Sequence, residues 1–219
     1  MVKIKSKTQL NDMIDTDLAS RKNEITYLIG LVNEKRSNRM VSVLAKSLIV
    51  LAYSHWEGFV KLTSARYLSY VNFLSIPKSD MNSRMNAVGL AWLGDIRGLS
   101  KCDLAHEINE ILCQDGYKLT FPVEPLVSTE SNLNSEVLRK IITDIGSVST
   151  EFENDTAFLD KKLLKYRNRF AHGEALYADV DEALNIGRCV IALLNKYRDL
   201  VENMIATEQY RRIPVSQLS

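Results

Sequence analysis

The chain has few of the residues that break helices, cross-link loops or span membranes. Its 219 residues include only 9 glycines, 4 prolines and 3 cysteines. Because leucine, alanine, lysine, glutamate and isoleucine are plentiful beside them, the composition favours an all-α fold. An odd and small number of cysteines excludes a disulfide framework and indicates reduced thiols in the cytoplasm. A chain of this length can bury the core of one domain.

The charge balance excludes a polybasic nucleic-acid binder. The 28 Lys and Arg residues face 27 Asp and Glu residues, which leaves a net charge of +1. Any contact with nucleic acid must therefore come from a local patch. No apolar run reaches the ~18 residues that a spanning helix needs, and the basic N-terminus lacks the apolar segment of a secretion signal. We expect a cytoplasmic protein without membrane contact.

Apolar residues that recur every three or four positions predict the helices. The segment 40–74 is almost uninterrupted and should form the longest and most buried helix. The last helix should begin at Asp179, with Glu182 completing a capping box. Its apolar residues form a heptad-like seam, suited to packing within the bundle or against a second subunit. Helices are predicted over 10–32, 40–74, 81–92, 101–113, 134–146, 158–170 and 179–204.

Helix-breaking residues concentrate in the segment 75–134. This distribution predicts an insertion between the core helices of a single domain. Within it, Tyr117–Phe121 alternates polar and apolar residues and is expected to form a short strand or an extended segment. The residues 208–219 are predicted to form a weakly ordered tail.

Three residues of the insertion, Cys102, His106 and Cys113, could share one helical face. Zinc needs four ligands at characteristic spacings, and no partner pair lies nearby in the sequence. We therefore expect buried thiols here and no metal site.

The segment with the densest functional chemistry is Tyr166–Glu174. It places Arg167, Asn168 and His172 within six residues and just before Gly173. Asn168 and His172 are four apart and share a helical face, whereas Arg167 and His172 are about 140° apart on an ideal helix. Arginine and histidine can therefore reach one ligand only if the helix frays near its end, which a glycine permits.

Histidine beside arginine, without a carboxylate cluster, is suited to cleaving RNA without a metal ion. His172 would exchange a proton near neutral pH while the 2′-hydroxyl attacks phosphorus, and Arg167 would stabilise the charge on the phosphoryl oxygens. Asn168 would orient the imidazole or a phosphate oxygen. The alternative is a helix cap, in which His172 bonds a terminal carbonyl and Arg167 pairs with an acid such as Glu57.

A second segment of interest lies in the long central helix, at His55–Lys61. One interpretation is structural: Trp56 and Phe59 are core aromatics, Glu57 and Lys61 form a surface ion pair, and Gly58 permits close helix packing. The other is functional, with Glu57 or His55 facing a cleft.

The segment Arg167–Gly173 resembles the signature of the HEPN superfamily (higher eukaryote and prokaryote nucleotide-binding domains), an arginine with a polar neighbour and a histidine a few residues later. Three further segments resemble a bacterial HEPN subfamily found beside defence and toxin genes. They are Tyr53–Phe59, Ser131–Asn134 and Leu159–Leu164.

The resemblance implies one HEPN-like domain over 1–219, built as an all-α up-and-down bundle with the insertion between core helices. It also implies a homodimer with a composite cleft and a metal-independent endoribonuclease without a cofactor, often a toxin or abortive-infection effector with a cognate antitoxin. Arg167, Asn168 and His172 match the motif, and Glu57 matches a recurring acidic position. The alternative is a non-catalytic member that binds RNA, a nucleotide or a protein.

Overall fold

Helices make up the regular structure of the chain, as its composition predicts. The computed structural model describes residues 3–36, 40–93, 97–130, 132–171 and 179–212. In these ranges no strand forms, and Tyr117–Phe121 is extended apart from an isolated bridge between Lys118 and Pro77. The helices are α1 (Lys7–Glu34), α2 (Val41–Leu74), α3 (Ser83–Ala91), α4 (Lys101–Leu112), α5 (Val123–Leu126), α6 (Ser135–Asp144), α7 (Thr156–Phe158), α8 (Lys165–Ala171) and α9 (Val180–Ala206), with a 3₁₀ turn at Glu153–Asp155 and a π-helical segment at Leu159–Leu164.

The three long helices α1, α2 and α9 pack against one another and form the bundle. They lie close together at Gly187, where an added Cβ would lie 3.1 Å from the Ile29 side chain and 3.2 Å from that of Leu48. The predicted seam of α9 is buried inside this bundle, so a second subunit is not needed to cover it. The seam residues are Ala183, Gly187, Val190, Leu194, Tyr197, Val201 and Met204.

An aromatic cluster fills the centre of the bundle. The Trp56 ring lies 6.0 Å from that of Tyr197 in an edge-on arrangement and 6.1 Å from that of Phe152. Trp56, Phe59 and Tyr197 are fully buried, which confirms the structural interpretation of the two aromatics in α2. The Tyr197 hydroxyl lies 2.6 Å from the Ser64 hydroxyl, so its polar atom is hydrogen-bonded within the core.

The residues that follow α9 pack back onto α2 and the start of α3. Tyr210 is buried against the rings of Tyr67 and Tyr70, and its carbonyl accepts a hydrogen bond from the Asn82 amide. The described residues up to Arg212 thus pack on the bundle, and the weakly ordered tail over 208–219 stays a prediction. Residues 213–219 lie outside the described part. The insertion over 75–134 in a single domain stays a prediction.

Two cysteines of the predicted insertion differ from expectation in their exposure to solvent. Cys102 and Cys113 are exposed, because α4 buries only Ile111, so the prediction of buried thiols is wrong for both. Across the described ranges, no three His, Cys, Asp or Glu side chains are grouped to hold a metal ion. Among the helices of those ranges, none has the length and apolar character to cross a membrane.

Candidate active site

A π-helical segment precedes the helix that carries the Arg-Asn pair. In Leu159–Leu164 the helix is π-helical, with backbone hydrogen bonds that span five residues instead of four. The Asp160 carboxylate accepts hydrogen bonds from the Ser135 amide at 2.8 Å and from the Ser135 hydroxyl at 2.6 Å. The segment is therefore fixed to the start of α6. From the sequence we predicted a helix over 158–170, and apolar spacing does not indicate the π geometry within it.

The start of α6 is itself fixed by a side-chain cap. The Asn134 side chain accepts a hydrogen bond from the Val137 amide at 2.8 Å. At the other end of α6, Gly146 has a φ of +92°, and an added Cβ would lie 2.5 Å from the Met85 sulfur. Glycine is therefore required at this position.

Arg167 lies over the ring of Tyr53, a residue of the central helix. Its guanidinium carbon is 4.8 Å from the ring centroid, which is the geometry of a cation–π contact. One guanidinium nitrogen donates a hydrogen bond to the Asn168 side-chain oxygen at 2.8 Å. Asn168 therefore orients Arg167, and its predicted contact with the imidazole or a phosphate oxygen stays a prediction. Together, the ring and the amide restrict the position of the cation.

Tyr53 links this cation to a third part of the chain. The side chain is buried, and its hydroxyl accepts a hydrogen bond from the Leu133 amide at 2.7 Å. Burial, with the adjacent Glu57 carboxylate as the next cause, raises the pKa of Tyr53 to about 12, so the hydroxyl is protonated at neutral pH. The sequence analysis includes Tyr53 in the segment Tyr53–Phe59 but predicts no role for it. Tyr53 and Glu57 are four residues apart, and this spacing could have indicated that they share one face of the helix.

Glu57 lies on the face of α2 that includes Tyr53. Its Oε1 atom is buried and makes no hydrogen bond within the described residues. A surface ion pair with Lys61 therefore does not account for this oxygen. An unsatisfied buried carboxylate oxygen is costly unless a ligand or a further group bonds it. Glu57 is thus placed where it can accept a proton or a hydroxyl group.

His55 faces the opposite side of α2, because two residues correspond to about 200° of helix rotation. Its Nε2 is 3.1 Å from the Glu24 carboxylate of α1, and its Nδ1 is 3.5 Å from an Arg21 nitrogen. Burial, as the largest cause, lowers the pKa of His55. Gly58 permits this approach, since an added Cβ would lie 2.8 Å from Arg21. Of the two candidates in this segment, only Glu57 faces Arg167.

The remaining described motif residues attach α8 to its neighbours. The Tyr166 hydroxyl donates a hydrogen bond to the Glu182 carboxylate, and this bond is the largest cause that raises the pKa of Tyr166 to about 12. The rings of Tyr166 and Phe170 stack at 5.8 Å, and Lys46 of α2 lies 5.7 Å above Phe170. The predicted capping box of α9 is wrong: the helix does start after Asp179, but no side chain caps it, and Glu182 binds Tyr166 instead.

His172 lies outside the described residues, as does Gly173, so the predicted fraying of the helix is not tested. The described part of α8 extends to Ala171, the residue before the histidine. The structure therefore joins Arg167 and Asn168 directly and places both Arg167 and Glu57 beside Tyr53. The role of His172 stays a prediction.

The fold and this site define a class of protein: an all-α bundle in which an arginine and an asparagine of a short helix lie against a tyrosine of the central helix. A family model described as RiboL-PSP-HEPN matches residues 16–203. The chain belongs to this family and so to the HEPN superfamily, which indicates a ribonuclease-type or other RNA-related function. Searches of curated proteins and of solved structures returned no match.

Proposed function

We propose that the chain is a metal-independent endoribonuclease whose catalytic residues are Arg167, Asn168 and His172, assisted by Glu57. The observation that carries the proposal is the fixed position of Arg167 over Tyr53, with Asn168 bonded to it. A guanidinium held in this way needs little reorganisation when charge develops on a phosphoryl oxygen. An arginine used only to cap a helix would have no need of an aromatic support from another helix.

In the proposed reaction the RNA 2′-hydroxyl attacks the adjacent phosphorus. His172 accepts the hydroxyl proton, the new bond from O2′ to phosphorus forms, and the bond from phosphorus to O5′ breaks. The departing O5′ receives a proton from a second general acid. The products carry a 2′,3′-cyclic phosphate and a 5′-hydroxyl. Arg167 stabilises the oxygens of phosphorus, and Glu57 binds a proton or a sugar hydroxyl near them.

A homodimer would supply the second acid, because it brings two copies of His172 into one cleft. The α9 seam cannot form this interface, since it is buried in the bundle. Exposed apolar residues occur instead at the start of α2, where Met40 and Val43 are each 60% exposed. Val43 lies three residues from Lys46, which contacts Phe170 of α8. We propose that this face pairs two protomers beside their motifs, and light scattering of wild type and Val43→Glu tests the proposal.

The experiment for the reaction compares wild type with His172→Ala on labelled tRNA and mRNA in EDTA, followed by mapping of the new ends. Wild type should cut and leave cyclic phosphates, and His172→Ala should not. His106→Ala is the matched control, because His106 is exposed on α4, away from α8. A substrate with 2′-deoxyribose at the cleavage position should resist. Cleavage by His172→Ala at the wild-type rate would reject the mechanism, and RNA binding without cleavage would favour a non-catalytic module.

The cellular role that fits such an enzyme is a toxin or anti-phage effector restrained by a cognate antitoxin. Uncontrolled RNA cleavage stops growth, so expression of the wild-type chain should be toxic and expression of His172→Ala should not. Equal toxicity of both variants would separate the growth effect from RNA cleavage.

A further inference from the structure

Two adjoining cavities lie on the side of the molecule formed by α3, α6 and the residues after α9. One of them, of about 260 Å³, lies between α6 and the segment 147–156. The other, of about 1030 Å³, lies between α3 and residues 207–212. Arg84 and Val148 line both, so the two cavities are neighbours on this surface. We call this surface the basic groove.

The charge of the basic groove differs from that of the whole chain. It is lined by five cations, Lys78, Arg84, Arg139, Arg211 and Arg212, and by two acids. One of the acids, Glu208, is already paired with Lys7 at 2.6 Å and with Arg211 at 2.7 Å. The side chains of Arg84, Arg139 and Arg212 are exposed and make no ion pair or hydrogen bond within the described ranges. Their field is therefore available to an anionic partner.

The residue types favour phosphate as the anion. Four of the five cations are arginines, whose forked donors match phosphate oxygens. They are spread along two adjoining cavities, so a single small anion could contact only part of the set. An extended polyanion satisfies all of them. The lining offers few aromatic rings for base stacking, so recognition should involve the backbone and not the sequence.

The basic groove is joined to the candidate active site through the start of α6. Ser135, which lines the groove, is bonded to Asp160 of the π-helical segment. Leu133, two residues earlier and so within about 7 Å, bonds Tyr53 beneath Arg167. Arg139 lies one helical turn beyond Ser135. The start of α6 thus connects the lining of the groove with the residues that support Arg167.

We propose that the basic groove binds the phosphate backbone of single-stranded RNA and holds the substrate on the way to Arg167. The direction of the strand rests on the proposed nuclease function, whereas the binding itself does not depend on cleavage. Binding and cleavage can thus be measured separately.

The test measures binding of a fluorescent 20-nucleotide RNA by anisotropy over a series of salt concentrations. The variant is the triple substitution Arg84→Gln/Arg139→Gln/Arg212→Gln, in wild type and in the His172→Ala background to prevent cutting. Loss of three phosphate contacts on a single strand should reduce the slope of log affinity against log salt by about 2. Affinity near 0.1 M salt should fall at least about tenfold and by the same factor for RNAs of different sequence.

The matched control is Lys5→Gln/Lys101→Gln/Arg188→Gln, which removes the same charge from exposed positions outside the groove. It should change the slope by much less than the groove variant. Cleavage by the groove variant should show a raised KM and a kcat within about twofold of wild type at saturating RNA. An unchanged affinity and slope, or equal losses in both triple variants, would overturn the proposal even if wild type cleaves RNA. Binding through the groove without cleavage by wild type would support the groove and reject the nuclease.

Discussion

The two faces of α2 carry similar residues in different states. Towards α1, His55 has a partner at each ring nitrogen, and Arg21 also bonds Asp17 at 2.8 Å and the His55 carbonyl at 3.2 Å. Towards α8, the set consists of Tyr53, Glu57 and Arg167, and the buried Glu57 Oε1 makes no hydrogen bond in the described structure. A histidine beside an arginine and an acid is thus not enough to indicate an active site, because here these side chains bond one another. The face that retains bonding capacity is the candidate for function.

The largest expected difference between the two faces is in how substitution of their arginines affects the rate of RNA cleavage. Arg167→Ala should reduce single-turnover RNA cleavage by about 10³-fold or more, because it removes the cation placed for the transition state. Arg21→Ala should leave the rate within about threefold and lower the free energy of unfolding by about 2 kcal/mol, since it removes charged hydrogen bonds between α1 and α2. Cleavage assays and urea unfolding of both variants provide the measurements.

This comparison fails if the two arginines have similar effects on the rate. Unfolding of Arg167→Ala at the wild-type urea concentration is the necessary control, because a loss of activity through misfolding would say nothing about the site. Arg167→Lys keeps the charge without the fork and should recover only part of the activity.

Substitution of Tyr53 should have the second largest effect on RNA cleavage. The contributions of its ring and of its hydroxyl can be tested separately. Tyr53→Leu removes the ring beneath Arg167 and should lower kcat about tenfold, in line with ~1–2 kcal/mol for a partly desolvated cation–π contact. Tyr53→Phe keeps the ring but leaves the Leu133 amide without its acceptor, which should destabilise the fold by about 1–3 kcal/mol and change kcat little.

The two Tyr53 variants are each other's controls in kinetics and unfolding. An equal loss of kcat in Tyr53→Phe would show that the hydroxyl, not the ring, supports the reaction. No loss in Tyr53→Leu would show that Arg167 is positioned by other groups.

The sequence predicted the helices well because their apolar spacing reflects burial in the bundle. It named Arg167, Asn168 and Glu57 through their resemblance to family positions, and their functional roles stay predictions. It did not predict the π-helical segment at Leu159–Leu164 or the Glu182 contact with Tyr166, because both depend on which elements meet in three dimensions. The exposed thiols of Cys102 and Cys113 were missed for a related reason: a short helix at the surface buries little, whatever its composition.

Substitutions of the glutamates on the two faces should differ less in their effect on RNA cleavage than substitutions of the arginines. Glu57→Gln keeps the shape but removes a charge from a buried oxygen, so we expect cleavage to fall about tenfold with stability unchanged or slightly increased. Glu24→Gln alters a half-exposed partner of His55 and should affect stability by less than about 1 kcal/mol, with no effect on cleavage. Wild-type activity in Glu57→Gln would assign Glu57 to the structure alone.

The smallest expected effect is the dependence of stability on pH through His55. Burial, the largest cause, and the Arg21 charge lower its pKa, while Glu24 and Asp17 oppose them. Because the ordinary pKa is near 6.5, the unfolded chain binds more protons than the folded one just below that pH. The free energy of unfolding should therefore be highest above pH 6.5 and fall as the pH drops towards the lowered pKa.

His55→Gln should remove that slope, and urea midpoints of wild type and variant between pH 7.5 and 5.5 measure it. The difference between the two proteins isolates His55 from the other titrating groups, such as Asp144, whose pKa is raised by burial. The pH profile of RNA cleavage should be the same in both proteins, because in the proposed mechanism the proton is exchanged by His172 and not by His55. If His55→Gln shifts the cleavage profile while the stability curves coincide, His55 takes part in the reaction, and the assignment of structure to one face of α2 and function to the other is wrong.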